Sequence, residues 1–110
     1  MEIKILNTTW EIKEVTALRL SEVMSSDKVL YLGACDPMIN TIFLLKDMNN
    51  EQKRATLIHE LTHAIQWETS LQQHLSEEQK EQYCDFVKFA FPIIEKILNK
   101  IDSKTPNISK

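Results

Sequence analysis

Residues 51–69 read EQKRATLIHELTHAIQWET, and the fold of the chain is legible outward from them. Asn49 or Asn50 can cap a helix here, and Glu51 falls in its first turn, where the helix dipole favours an acid. The helix is expected to run to about Trp67 or Thr69. Its Ala55–Ile58–Thr62 stripe and its Leu57–Leu61–Ala64–Ile65 stripe leave little of it fully exposed. Downstream, a link from about Ser70 to Leu75 leads to Ser76-Glu77-Glu78-Gln79. That run has the spacing of a capping box, with Ser76 as the cap. The helix it starts carries Tyr83, Phe86, Val87, Ala90, Phe91, Ile94, Ile97, Leu98 and Ile101, a sustained apolar face at helical period. Pro92 lies inside it and is expected to kink it or split it in two.

Upstream, the first 45 residues favour short strands. Ile3 and Ile5 alternate with Glu2 and Lys4 and lead to Leu6, and Asn7-Thr8-Thr9 is turn-like. A second strand carries Trp10 and Ile12 on one face and Val15 on the other. Val15 to Met24 suits a short helix, broken at Ser25-Ser26-Asp27. Val29 to Leu32 reads as a central strand stopped at Gly33, Asp36-Pro37 as a turn, and Ile39 to Leu45 as the next strand. The expected fold class is therefore α+β. A small N-terminal, mainly antiparallel sheet of three to four strands packs on the 51–69 helix and a second, C-terminal helix. One domain is expected over residues 1–101, with a polar, disordered tail over 102–110.

Composition narrows the function. The 110 residues suit one domain, and 43% hydrophobic content is too high for a wholly disordered chain. Two Cys cannot build a disulfide framework, and Cys35 and Cys84 read as reduced thiols. Thirteen Lys and Arg against 16 Asp and Glu give a net charge of −3, not the broad positive field of a nucleic-acid binder. A single Gly excludes the glycine-rich phosphate cradles. The start MEIKIL does not read as a secretory signal. The longest apolar run, Val29 to Cys35, is far short of the roughly 20 residues of a membrane helix. A soluble, cytoplasmic protein with no nucleic-acid and no membrane partner is expected. Its oligomeric state is left open.

The chemistry resides in His59-Glu60-Leu61-Thr62-His63, an HExxH motif. Residues four apart lie on one helix face, so two imidazoles can converge on one ion. Glu60 is offset by one residue, so its carboxylate can reach a water beside the metal. This is the arrangement of zinc peptidases, with Glu60 as general base. Two ligands leave such a site incomplete. The candidates for a third are His74, Glu68, Glu77, Glu78, Glu81 and Asp85. Glu68 lies five residues past His63 and points away. His74 needs its loop to fold back. Glu81 is the best placed, and Asp85, one turn on, can accept a hydrogen bond from the outer nitrogen of a liganding His.

His59 to His63 followed by Glu81-Gln82-Tyr83-Cys84-Asp85 resembles the HExxH plus ExxxD pattern of the gluzincin metalloproteases. More narrowly, the chain is similar to small phage and mobile-element relatives of the ImmA/IrrE metallopeptidases. The likeness takes in Tyr31-Leu32-Gly33-Ala34-Cys35-Asp36, the strand Ile42 to Leu45, and Glu51-Gln52-Lys53-Arg54 leading to His59. The resemblance implies a minimal zincin domain that hydrolyses peptide bonds in a narrow range of protein substrates, such as a transcriptional repressor. It implies His59, His63 and Glu81 as ligands of Zn2+, Glu60 as base and Asp85 behind the ligands. Thr69 and Gln66 stand where metzincins place their third ligand and glycine, so that subclass is excluded.

Tyr83 and Tyr31 are candidates to touch the substrate or transition state, with core packing as the other role for each. By analogy with zincins, Ile39 to Leu45 is the candidate edge strand for β-addition of a substrate. Cys35 is a candidate for an inhibitory contact with the metal, against a buried structural thiol. Trp67 is expected in the core, and Lys53 and Arg54 on a solvated helix surface. The alternative function is a non-catalytic, zinc-containing interaction or anti-repressor protein, which needs a fourth protein ligand such as His74 or Cys35.

Overall fold

Thr41–Leu45 (β4) is buried at all five positions, which explains why TIFLL reads as an unbroken apolar run: both of its faces are covered. The computed structural model describes residues 1–24 and 32–104. In it, β1 (Glu2–Ile5), β2 (Thr8–Val15), β3 (Gly33–Asp36) and β4 form one four-stranded sheet in the order β1-β2-β4-β3. The β1–β2 and β3–β4 pairs are antiparallel and the β2–β4 pair is parallel. The expected sheet is thus present, and mainly antiparallel.

On one sheet face, Ile42 and Leu44 meet Trp10 and Ile5 and the helix α2 (Asn50–Glu68) through Ala64, Leu57 and Leu61. On the other, Ala34, Phe43 and Leu45 meet Leu20 of the short helix α1 (Ala17–Met24). The 3-10 turn Leu71–His74 then leads to the long helix α3 (Glu77–Lys104). Both capping expectations hold. Asn49 Oδ1 accepts from Gln52 N at 2.8 Å. Ser76 and Gln79 exchange reciprocal bonds of 2.9 and 3.1 Å. Glu68 closes the far end of α2 against the sheet, accepting from Trp10 Nε1 at 2.9 Å and Thr8 Oγ1 at 2.8 Å. It serves packing and lies away from the HExxH pair.

One expectation falls outside the described residues, and two others change. The strand expected at Val29 to Leu32 falls largely on residues 25–31, outside the described residues. The strand that is seen begins at Gly33, where the other was to stop, and among the described residues it lies at the edge of the sheet. The expected edge strand, Ile39 to Leu45, is interior instead: β4 begins at Thr41 and pairs on both sides. Helix α3 is neither split at Pro92 nor finished by Ile101, but continuous through Lys104; the rest of the expected tail, 105–110, lies outside the described residues. Much of the apolar face of α3 is open to solvent, because α2 covers only part of the helix.

Candidate metal centre

Helix α2 buries Thr56, Glu60, Ala64 and Gln66, two of them bulky polar residues, against β3 and α3. That choice weakens its amphipathic pattern and places the second residue of the motif inside. Glu60 is 8% exposed. Burial, and after it the nearby Glu81 carboxylate, push its carboxyl up to about 8. The two imidazoles follow one turn apart, with ring centroids 5.1 Å from each other at 69°.

Helix α3 runs antiparallel to α2 and supplies the opposing wall. Glu81 spans the pair, with Oε2 3.0 Å from His59 Nε2 and Oε1 2.9 Å from His63 Nε2. Asp85 Oδ1 lies 3.1 Å from His59 Nδ1. A proton on Nδ1 satisfies Asp85 and leaves the Nε2 lone pair facing Glu81 and His63. The structure therefore brings His59, His63 and Glu81 together, with Asp85 behind His59 on its other ring nitrogen and Glu60 lining the same cavity as the histidines. Two imidazole nitrogens and a carboxylate converging from two helices are a donor set suited to Zn2+.

The register of the two helices has a visible cause. Gln66, 3% exposed, donates from Nε2 to the Lys80 carbonyl at 3.2 Å. Its Oε1 accepts from the fully buried Cys84 Sγ at 3.9 Å. One side chain, a turn beyond His63, thus holds α3 where Glu81 and Asp85 face the histidines.

Cys84 is the residue that sequence reasoning missed. Its sulfur belongs, with a nitrogen of His59 and of His63, to a group of potential ligand atoms all within 4.8 Å of one another. Burial pushes its thiol up to about 12, helped by the Glu81, Glu60 and Asp85 carboxylates, so without a cation it stays protonated. The signal available was its place three residues after Glu81, on the same side of α3.

The cavity, about 390 Å³, is walled by Gly33, Ala34, Cys35 and Pro37 from β3 and its turn, and by Trp67 and Gln72 beyond the histidines. Gly33 permits the close approach. A Cβ there would sit 2.7 Å from Thr56 Cγ2, 3.0 Å from the Phe43 carbonyl oxygen and 3.2 Å from Glu60 Cγ. It is a contact glycine within a strand, not a turn glycine. Trp67 lines the cavity rather than the core. Cys35 lines it too, with its thiol pushed up to about 12, chiefly by burial.

Other candidates fall elsewhere. Tyr83 is half-exposed and not among the cavity-lining residues, because it lies two positions from both Glu81 and Asp85 and projects from another side of α3. Tyr31 lies outside the described residues. Exposed His74, at the end of the 3-10 turn, and Glu78 do not line the cavity; Glu77 reaches its rim but pairs with Lys80 at 2.6 Å. Lys53 pairs with Glu14, and Arg54 with Glu95 at 2.6 Å, so neither is a free phosphate contact.

A sheet backing an HExxH helix, with a His, His and Cys cluster closed by a second helix, defines a zincin-like domain whose cluster could hold a metal ion. More particularly, the chain belongs to the family described as "Putative metallopeptidase family (DUF6782)", whose model matches residues 4–91. No curated protein and no solved structure matches the chain. Among the described residues, no helix is long and apolar enough to cross a membrane.

Proposed function

We propose that this chain is a zinc-dependent peptidase in which His59, His63 and Glu81 hold the ion and Glu60 moves the proton. The observation that carries the proposal is the single Glu81 carboxylate placed within 3.0 Å of both motif histidines, next to buried Glu60. When bound, Zn2+ supplies Lewis acidity, polarising a peptide carbonyl and acidifying a water molecule. The chain's own residues do the rest. Asp85 holds His59 in the tautomer that presents Nε2. Glu60 accepts a proton from the attacking water on its carboxylate and delivers it to the nitrogen of the leaving amine. The wall around Glu60 limits water access.

The substrate is proposed to lie along β3. That strand pairs with β4 on one side only among the described residues, and it lines the cavity with Gly33, Ala34 and Cys35. An extended peptide added there runs past Glu60, with main-chain bonds giving affinity. A cavity of about 390 Å³ on so small a domain suits a narrow substrate range. The ImmA/IrrE-like resemblance supports a regulatory protein, such as a repressor, as that substrate.

The test is incubation of the zinc-loaded protein with a proteome-derived peptide library, read by mass spectrometry for new termini. Wild type should generate them, and Glu60→Gln, equally loaded, should not. Equal cleavage by both overturns the mechanism.

A second reading is favoured by the position of Cys84. A thiolate there would be a fourth protein ligand and would close the site, as in structural zinc centres of interaction proteins. Cys84→Ser separates the two. The peptidase keeps its zinc and activity, whereas a closed structural centre loses affinity.

A further inference from the structure

Helix α3 is longer than the structure it packs on. Its side-chain bonds to α2 extend from Lys80 and Glu81 to Glu95, which pairs with Arg54, and the helix continues to Lys104. At 1.5 Å per residue the part beyond Glu95 projects by about 13 Å. The radius of gyration is 15.7 Å, against about 13 Å for a compact domain of this length.

The side of α3 turned away from α2 is apolar. Phe86, Phe89, Ile93 and Ile97 follow one another at spacings of three, four and four, so they form one stripe. They are 69%, 68%, 60% and 53% exposed. With half-exposed Ile94 and Tyr83 beside them they present on the order of 700 Å² of apolar surface, near the ~800 Å² that each partner gives to a standard interface. Lys80, Glu81, Cys84 and Asp85, which face α2, lie on the other side of the helix.

Charge selects the occupant and its direction. The first half of α3 is net acidic, with Glu77, Glu78, Glu81 and Asp85 against Lys80 and Lys88, the Lys88 ammonium lying 5.0 Å from the Phe89 ring centre. The second half is net basic by one charge, with Lys96, Lys100 and Lys104 against Glu95 and Asp102, and Lys96 and Lys100 fall along the edge of the stripe. Two copies laid antiparallel, with Phe89 of one on Ile93 of the other, set Lys100 of each copy opposite Gln82 of its partner, about one turn from Glu78, and bring the net-negative half of each helix against the net-positive half of the other. Parallel copies would set like charge on like.

We infer that α3 is a dimerisation helix, pairing antiparallel with α3 of a second copy about a two-fold axis near Phe89 and Ile93. Such a pairing buries the stripe and leaves the His59–His63 cavity open on the other side of the helix. It does not depend on the peptidase reading.

Sedimentation equilibrium of the full chain tests this. Wild type should reach twice the 12.9 kDa chain mass in a concentration-dependent manner. Phe89→Asp, at an exposed position, should remain at the single-chain mass with unchanged helical circular dichroism and zinc content. Orientation is read by mixing Phe86→Cys with Ile97→Cys chains under mild oxidation. Mixed 86–97 crosslinks should dominate over 86–86. Three results overturn the inference: wild type at single-chain mass up to several hundred micromolar, a dimer that survives Phe89→Asp, or dominant 86–86 crosslinks. So does wild-type protein that stays single-chain but binds phosphatidylcholine–phosphatidylglycerol vesicles through Phe89, since the stripe then serves a lipid surface.

Discussion

Glu60 occupies a place that the core would fill more cheaply with an apolar side chain. Burying a carboxylate without a strong partner is costly, and its raised ionisation reflects that cost. Glu60→Gln should therefore raise the melting temperature of the metal-free protein, measured with a chelator present, while abolishing peptide cleavage. Gly33 is tied to the same point in space. Gly33→Ala forces a methyl against Thr56, the Phe43 carbonyl and Glu60, so it should cost about 1–3 kcal/mol in chemical denaturation and lower activity at full zinc occupancy. The HExxH residues were legible in the sequence because their geometry is local: one helix and a spacing of four. Gln66 and Cys84 were not, because their roles come from how α3 lies on α2. No periodicity along either helix reports that.

At the scale of elements, the clearest case is the end of α2. Glu68 looked like a spare acid near the motif, and it proves to be the acceptor for a Trp10 indole with no exposure at all. Glu68→Ala strands that buried N–H and should cost roughly 1–3 kcal/mol, with zinc content unchanged. Both helix starts were legible, since Asn49 and Ser76 cap through bonds to residues three positions on. The sheet order was less so. TIFLL announces a strand covered on both faces, but which strands flank it depends on the parallel β2–β4 pairing, a long-range contact. Hence, among the described residues, the edge strand beside the cavity is β3, short and poor in apolar signal, rather than the apolar run that follows it. The apolar period of α3 was read correctly as a helix, yet period alone does not say whether the face is covered within the chain or by something outside it.

For the molecule as a whole, most of the site is carried on two antiparallel helices joined by a short link, with the sheet as their support. Binding of one ion across them should stabilise the fold, because the unfolded chain does not hold the ligands together. A chelator should accordingly lower the melting temperature of wild type, and should leave that of His63→Ala nearly unmoved. The account rests most heavily on a single zinc held by His59, His63 and Glu81. Its most direct test is zinc per chain after dialysis against a weak chelator, measured by elemental mass spectrometry in wild type, Glu60→Gln, Cys84→Ser, Glu81→Ala and His63→Ala. The account predicts about one zinc in the first three, and at least a tenfold loss of affinity in the last two. Full occupancy in Glu81→Ala together with loss in Cys84→Ser would contradict it. The ion would then rest on the thiol, not on the carboxylate that bridges the two histidines.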